Sequence, residues 1–89
     1  MSLAAFFDTI ADDPRITTAH VSVYLAMMSE RDIRGDPQTL AIERTRIMQL
    51  AKINARSTYD KVIHDLAQFG YIKYYPDFGR KSKVVFNKL

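Results

Sequence analysis

The sequence contains no cysteine, and it has only three glycines, three prolines and two histidines. The absence of cysteine excludes a disulfide scaffold and a thiolate zinc site, and two separated histidines argue against a structural zinc site. The scattered glycines leave no glycine-rich phosphate loop. The longest apolar run, residues 23–28, is too short to cross a membrane, and the N-terminus lacks the basic-then-apolar pattern of a signal peptide. We expect a soluble, cytoplasmic protein without a metal or cofactor.

Charge is unevenly distributed along a chain whose 89 residues suit one small globular domain. Residues 1–51 carry five arginines and seven acidic residues, whereas residues 52–89 carry six lysines, two arginines and three aspartates. The first part therefore has a net charge of −2 and the second a net charge of +5. A basic half indicates a surface that faces a polyanion; the alternative is an ordinary solvated surface.

Hydrophobic spacing predicts two helices in the first part of the chain. Ser2 is suited to cap a short helix, whose apolar residues recur at helical spacing: Leu3, Phe6, Phe7 and Ile10. A second helix is expected from Thr17 or Thr18 to about Ser29, followed by a charged loop over 30–38. Its apolar stripe is Val21, Tyr24, Leu25 and Met28, widened by Ala19, Val23 and Met27. We expect residues 1–13 to be a helical extension and residues 14–89 the main domain.

The second part predicts a short strand over 39–42, a helix over 46–53 capped by Thr45, and a fourth helix from Ala55 capped by Asn54. Gly70 is expected to end the fourth helix, and runs 71–75 and 84–87 form a hairpin. The residues expected to face inward are Leu40, Ile42, Ile47, Leu50, Ala51, Tyr59, Val62, Ile63, Leu66 and Phe69. The order predicts an α+β fold in which a three-helix core packs on a small antiparallel sheet, with a short N-terminal helix added.

The runs LAKINARSTY at 50–59 and DLAQFGYI at 65–72 resemble the winged helix-turn-helix of bacterial transcription regulators and plasmid-type replication initiators. The chain is also similar to small DNA-binding proteins of bacterial mobile elements, and the resemblance covers about residues 15–89. One departure is Asn54, which stands in the turn where a glycine is common. The resemblance implies a recognition helix, a hairpin wing and sequence-specific binding of double-stranded DNA in transcription regulation or mobile-element control.

The candidate DNA-binding residues lie on the fourth helix and on the hairpin: Arg56, Ser57, Thr58, Lys61, His64, Lys73, Arg80, Lys81 and Lys83. Arginine and lysine pair with guanine acceptors, while serine hydroxyls reach phosphates or bases. Asp60 and Asp65 oppose this interpretation because they repel DNA, and lysines on a hairpin also protect an edge strand. The aromatic residues of the hairpin are expected to fill the core rather than to stack on single strands: Tyr71, Tyr74, Tyr75 and Phe78.

An enzyme is not expected, and neither is a small-molecule ligand. Ser57, His64 and Asp65 include the residue types of a catalytic triad, but adjacent helical residues point about 100° apart and cannot form a relay. Two other interpretations stay open, a winged-helix module for protein–protein assembly and a DNA-binding fragment of a replication initiator. The first helix either folds back on the face of Val23 and Met27 or forms a symmetric homodimer through its apolar stripe, and the dimer is favoured.

Overall fold

A computed structural model describes residues 2–77 and 81–89. Four helices and three strands follow in the order α1 (Leu3–Ala11), α2 (Thr18–Ile33), β1 (Leu40–Ile42), α3 (Arg44–Ala51), α4 (Arg56–Gln68), β2 (Ile72–Tyr75) and β3 (Ser82–Phe86). The strands form one antiparallel sheet in the order β1-β3-β2. The predicted α+β class with a small antiparallel sheet is confirmed.

The sheet joins the middle of the chain to its end. Leu40 of β1 lies opposite Val84 of β3, and Val84 also lies opposite Tyr74 of β2. Leu40 and Ile42 are buried as predicted, because alternate residues of a strand point to the same face. This inner face packs on the helices, and α4 contacts β2.

The core is centred on α2, which packs against both α3 and α4. Val23, Tyr24 and Met27 are fully buried, whereas Val21, Leu25 and Met28 are half-buried. The centre of the buried face therefore lies one residue away from the predicted stripe, and the residues expected only to widen the face form its middle. The buried apolar residues outside α2 are Phe6, Leu40, Ile42, Ile47, Ala51, Tyr59, Val62, Ile63, Leu66, Tyr71, Ile72 and Val84.

Helix α1 folds back onto its own chain. Ser2 caps it as predicted, since the Ser2 Oγ accepts a hydrogen bond of 3.0 Å from the Ala5 N–H. Phe6 has no exposed surface and stacks on Tyr24 with ring centroids 4.0 Å apart. Of the predicted apolar stripe, only Leu3 and Phe7 remain substantially exposed, at 51% and 43%. Phe6 is therefore a core residue, and its place in the expected dimer surface has to be corrected.

The corner between α1 and α2 is tied to the start of the hairpin. Asp13 accepts a hydrogen bond of 2.7 Å from the Tyr71 hydroxyl and two of 2.9 Å from the Arg15 guanidinium. Arg15 also lies over the Phe69 ring, 4.2 Å from its centroid. Burial, together with the Asp13 acceptor, raises the pKa of Tyr71 to about 12. This network closes the N-terminal corner over the end of α4.

Helix α2 continues to Ile33, so the charged loop predicted over 30–38 begins one turn later than expected. Glu30 is only 8% exposed, and its carboxylate lies 3.0 Å from the Arg46 guanidinium on α3 and 3.7 Å from that of Arg34. Buried carboxylates need such partners. A charge contributed from α3 thus stabilises the extra helical turn.

The turn between α3 and α4 differs from the prediction at both ends. Helix α3 ends at Ala51, and Lys52 adopts the left-handed conformation with φ +61°. Ala55, rather than Asn54, is the N-cap of α4, and it contributes no side-chain hydrogen bond. Leu50, expected inside, is 36% exposed. Gly70 follows the end of α4 with φ +88°, where glycine is favoured, as predicted.

Candidate nucleic-acid interface

One face of α4 stands clear of the core. Tyr59, Val62, Ile63 and Leu66 are buried against the rest of the domain. Ser57, Lys61, His64 and Gln68 are exposed on the opposite side of the helix, because they follow one another at intervals of three or four residues. Arg56 lies at the N-terminal edge of this face, and the side chains of Arg56 and Lys61 are 68% and 74% exposed. We call Arg56, Ser57, Lys61, His64 and Gln68 the α4 face.

Both cations of the α4 face are paired with a carboxylate one turn along the helix. Arg56 Nε lies 3.8 Å from Asp60 Oδ2, and Lys61 Nζ lies 2.8 Å from Asp65 Oδ2. Exposed ion pairs at this spacing contribute only ~0.3–0.5 kcal/mol to stability. The face can therefore exchange these carboxylates for phosphates at small cost, but its positive charge is partly compensated.

Asp65 also binds a buried histidine. His20 Nε2 lies 2.9 Å from Asp65 Oδ2, and His20 Nδ1 accepts a hydrogen bond of 3.0 Å from the Thr17 N–H. Because a backbone N–H is only a donor, Nε2 carries the proton and donates it to Asp65. Lys61 and His20 hold the pKa of the Asp65 carboxyl below its usual range.

His20 was expected to be a surface or half-buried residue, and it is 4% exposed. Its side chain takes the role that Glu or Gln has in a capping box, three residues after the N-cap Thr17. The spacing Thr17-x-x-His20 was the available sequence signal for this role, whereas its partner Asp65 is distant in the sequence. His20 thereby fixes the carboxylate that holds Lys61 on the α4 face.

An open groove of about 860 Å³ lies beside the α4 face, between the first turn of α3, the exposed flank of α4 and the hairpin. His64 packs edge-on against the Tyr74 ring there, with centroids 5.4 Å apart. Lys81 lies 3.7 Å from Glu43 at the same groove. Arg44, the first residue of α3, also lines it, and the sequence analysis left Arg44 out of the candidate residues. Its position at the start of a helix beside a strand was the available signal.

The predicted cations of the hairpin do not share one surface. Lys73 and Lys83 are exposed, and both alternate along their strands with the inward-facing residues Ile72, Tyr74 and Val84. They consequently lie on the outer face of the sheet, away from α4. Lys81 lines the groove instead. The candidate residues are thus divided between two faces of the molecule.

Two further candidates complete the set. Thr58 is exposed on the first turn of α4, outside the α4 face. Arg80, together with Phe78 and Gly79, lies outside the described residues. The wing tip predicted there is not part of the interface considered below.

The triad-like residues are engaged with other partners. His64 Nδ1 lies 2.7 Å from the Asp60 carbonyl oxygen, while Asp65 binds His20 and Lys61. Within residues 2–77 and 81–89, no three His, Asp or Glu side chains are grouped so that they could hold a metal ion. No helix in that part of the chain combines the length and apolar character needed to cross a membrane.

Comparison with known proteins identifies no relative on which a family assignment could rest. No protein-family model matches the chain, and no match is found among the curated proteins or the solved structures.

Proposed function

We propose that the chain is a winged helix-turn-helix protein that binds double-stranded DNA with sequence specificity, as a bacterial transcription regulator or mobile-element control protein. The observation that carries this proposal is the α4 face, whose polar and basic side chains stand clear of the core. Helix α3 and a tight turn precede α4, and the β2–β3 hairpin follows it. This order is typical of a winged helix-turn-helix, whose second helix enters the major groove.

In this proposal the first turns of α4 read base edges. Arg56 and Lys61 are suited to donate to the N7 and O6 acceptors of guanine, and Ser57 to a phosphate or a base. Arg44 and Lys81, which line the groove beside α4, are suited to contact the DNA backbone. Lys73 and Lys83 are left out of the duplex interface because they lie on the outer face of the sheet.

Support for the geometry of the α4 face comes from the contacts that fix α4 in the domain. Arg46 of α3 binds Glu30 of α2, and the Ser22 hydroxyl of α2 donates to the Ala51 carbonyl at the end of α3. His20 of α2 binds Asp65 of α4. Both helices of the pair are therefore anchored to α2, and a rigid support is what a recognition helix needs.

The test is a selection of preferred sites from random duplex DNA, followed by titration of preferred and scrambled duplexes at several salt concentrations. About five neutralised phosphates would give a slope of roughly −4 to −5 in log affinity against log salt. Arg56→Ala with Lys61→Ala should lower affinity for the preferred duplex and flatten that slope by up to about 2. Lys73→Ala with Lys83→Ala removes the same charge from the other face and is the matched control. Negligible binding of both duplexes by the unaltered protein at low salt would refute the proposal.

A second candidate function, protein–protein assembly, is favoured by one observation. Leu3 and Phe7 are exposed on α1, and Leu3 lines a shallow groove with Leu25 and Met28 of α2. Exposed apolar patches are typical of interaction sites. A symmetric dimer through Leu3 and Phe7 is compatible with DNA binding, because two-fold proteins match two half-sites. Negligible DNA binding would make assembly the leading function.

A further inference from the structure

The outer face of the sheet presents one aromatic ring between two lysines. Lys83 of β3 lies directly opposite Tyr75 of β2, and Lys73 precedes Tyr75 by two residues on the same strand. Directly opposite residues of an antiparallel pair have Cβ atoms about 4.5–5.5 Å apart. Lys73, Tyr75 and Lys83 therefore form a contiguous patch, which we call the outer patch.

The positive charge of the outer patch is not compensated. Within the described ranges, neither Lys73 nor Lys83 takes part in an ion pair. Arg56, Lys61 and Lys81, in contrast, each lie within 4.0 Å of a carboxylate oxygen. The outer patch is thus better suited to an anionic partner than its small size suggests.

The exposed ring narrows the choice of anionic partner. Tyr75 is 52% exposed, whereas Tyr71 is buried and Tyr74 faces inward toward His64. An acidic peptide would pair with the lysines but would make no particular use of a ring between them. Duplex DNA keeps its bases stacked inside the helix, so their faces cannot reach the ring. A single strand offers both unstacked bases and phosphates at short intervals.

We infer that the outer patch binds single-stranded nucleic acid, with a base stacked on Tyr75 and the adjacent phosphates held by Lys73 and Lys83. This is a second binding surface, separate from the duplex interface proposed for the α4 face, and it does not depend on that proposal. Stacking makes it tolerant of base sequence, because every base has an aromatic face.

The experiment is a fluorescence anisotropy titration of the full chain with a short fluorescein-labelled oligothymidylate at several salt concentrations. Tyr75→Ala should lower affinity about tenfold, whereas Tyr75→Phe, which keeps the ring, should bind like the unaltered protein. Lys73→Ala with Lys83→Ala should flatten the log–log salt slope by about 1.4, since each phosphate on a single strand contributes ~0.7. Circular dichroism checks that each variant is folded.

Arg56→Ala with Lys61→Ala is the matched control, because it removes equal charge from the α4 face and should leave oligothymidylate binding unchanged. The inference is overturned if Tyr75→Ala binds as tightly as the unaltered protein, or if the two double variants weaken binding equally. Unlabelled polyglutamate should compete far less well than unlabelled oligothymidylate. Equal competition would assign the outer patch to an acidic protein partner instead. Duplex titrations of the same variants report on the α4 face separately.

Discussion

His20 and Asp65 connect α2 to α4 through a hydrogen bond of 2.9 Å between Nε2 and Oδ2, and the same carboxylate oxygen accepts from Lys61. One side chain thus faces both the interior and the solvent-exposed α4 face. Its inner partner is buried and its outer partner is exposed. The two hydrogen bonds should therefore contribute very differently to stability.

Replacing His20 with alanine should lower the free energy of unfolding by about 1–3 kcal/mol, because it leaves the Thr17 N–H and the inner side of Asp65 without a partner. Lys61→Ala removes the exposed partner of the same oxygen and should cost no more than ~0.5 kcal/mol. Urea denaturation of both variants measures the difference. Equal costs would show that the buried hydrogen bond contributes no more than the exposed one.

Asp13 predicts a loss of stability in acid. Its hydrogen bonds from Arg15 and Tyr71 hold the pKa of the Asp13 carboxyl well below its usual range. A carboxyl with a lowered pKa contributes stability that is fully present above its unfolded pKa of about 4, and this stability is lost as the pH falls toward the folded value. Asp65, whose pKa is also lowered, acts in the same direction.

Asp13→Asn should accordingly lower the unfolding temperature at pH 7 and make its decline below pH 4 shallower than in the unaltered protein. Thermal unfolding followed by circular dichroism from pH 7 to pH 2 measures both effects. Asp8→Asn, on an exposed position of α1, is the matched control and should leave the unfolding temperature at pH 7 unchanged. Parallel acid profiles for Asp13→Asn and the unaltered protein would contradict the prediction.

The two adjacent phenylalanines of α1 should behave differently on substitution. Phe6→Ala should destabilise the fold by about 3 kcal/mol or more, because it opens a cavity against Tyr24. Phe7→Asp should change the free energy of unfolding by less than ~0.5 kcal/mol, since Phe7 is exposed. If the chain is a dimer, Leu3→Asp with Phe7→Asp should give a monomer in light scattering at micromolar concentration. An unchanged mass would refute the proposed dimer surface.

Asp60→Asn should tighten duplex binding about fivefold at low salt, because it removes a negative charge beside Arg56 on the α4 face. Asp36→Asn makes the same charge change on an exposed position between α2 and β1, and should have little effect. Titration of the preferred duplex with both variants compares them directly. An equal gain from Asp36→Asn would attribute the effect to net charge and count against the α4 face as the contact surface.

Lys52→Gly should stabilise the protein by about 0.5–1 kcal/mol, because Lys52 has φ +61° and glycine adopts this conformation without steric cost. Lys52→Ala keeps the strained conformation while removing the charge, so it should be close to neutral. Thermal or urea unfolding of the two variants separates the backbone effect from the charge effect. A gain from alanine as large as that from glycine would contradict the assignment to backbone strain.

Most of the secondary structure follows from local patterns in the sequence. The spacing of Tyr59, Val62, Ile63 and Leu66 defines α4, and alternation identifies the inward positions of β1. The errors occur where a distant residue decides. The end of α2 looked like a charged loop because its stabilising partner for Glu30 is Arg46 on another helix.

The candidate interface was predictable in part. Periodicity placed Arg56 and Lys61 on an exposed helix face, and the structure agrees. Alternation alone puts Lys73 on the opposite side from Tyr74, but only the burial of Val84 shows which side faces the helices. Whether each cation has a carboxylate beside it depends on packing, so the sequence could not distinguish the paired residues from the unpaired ones.

The pairing of Leu40 with Val84 has a consequence for folding during synthesis. Strand β1 lies near the middle of the chain, but its partner β3 is the last element and leaves the ribosome last. Leu40 and Ile42 therefore remain without a strand partner until synthesis is nearly complete. Contacts between residues this far apart in sequence form slowly. We expect nascent chains that end before residue 82 to stay open to proteases and chaperones, and the complete chain to close its sheet only after release.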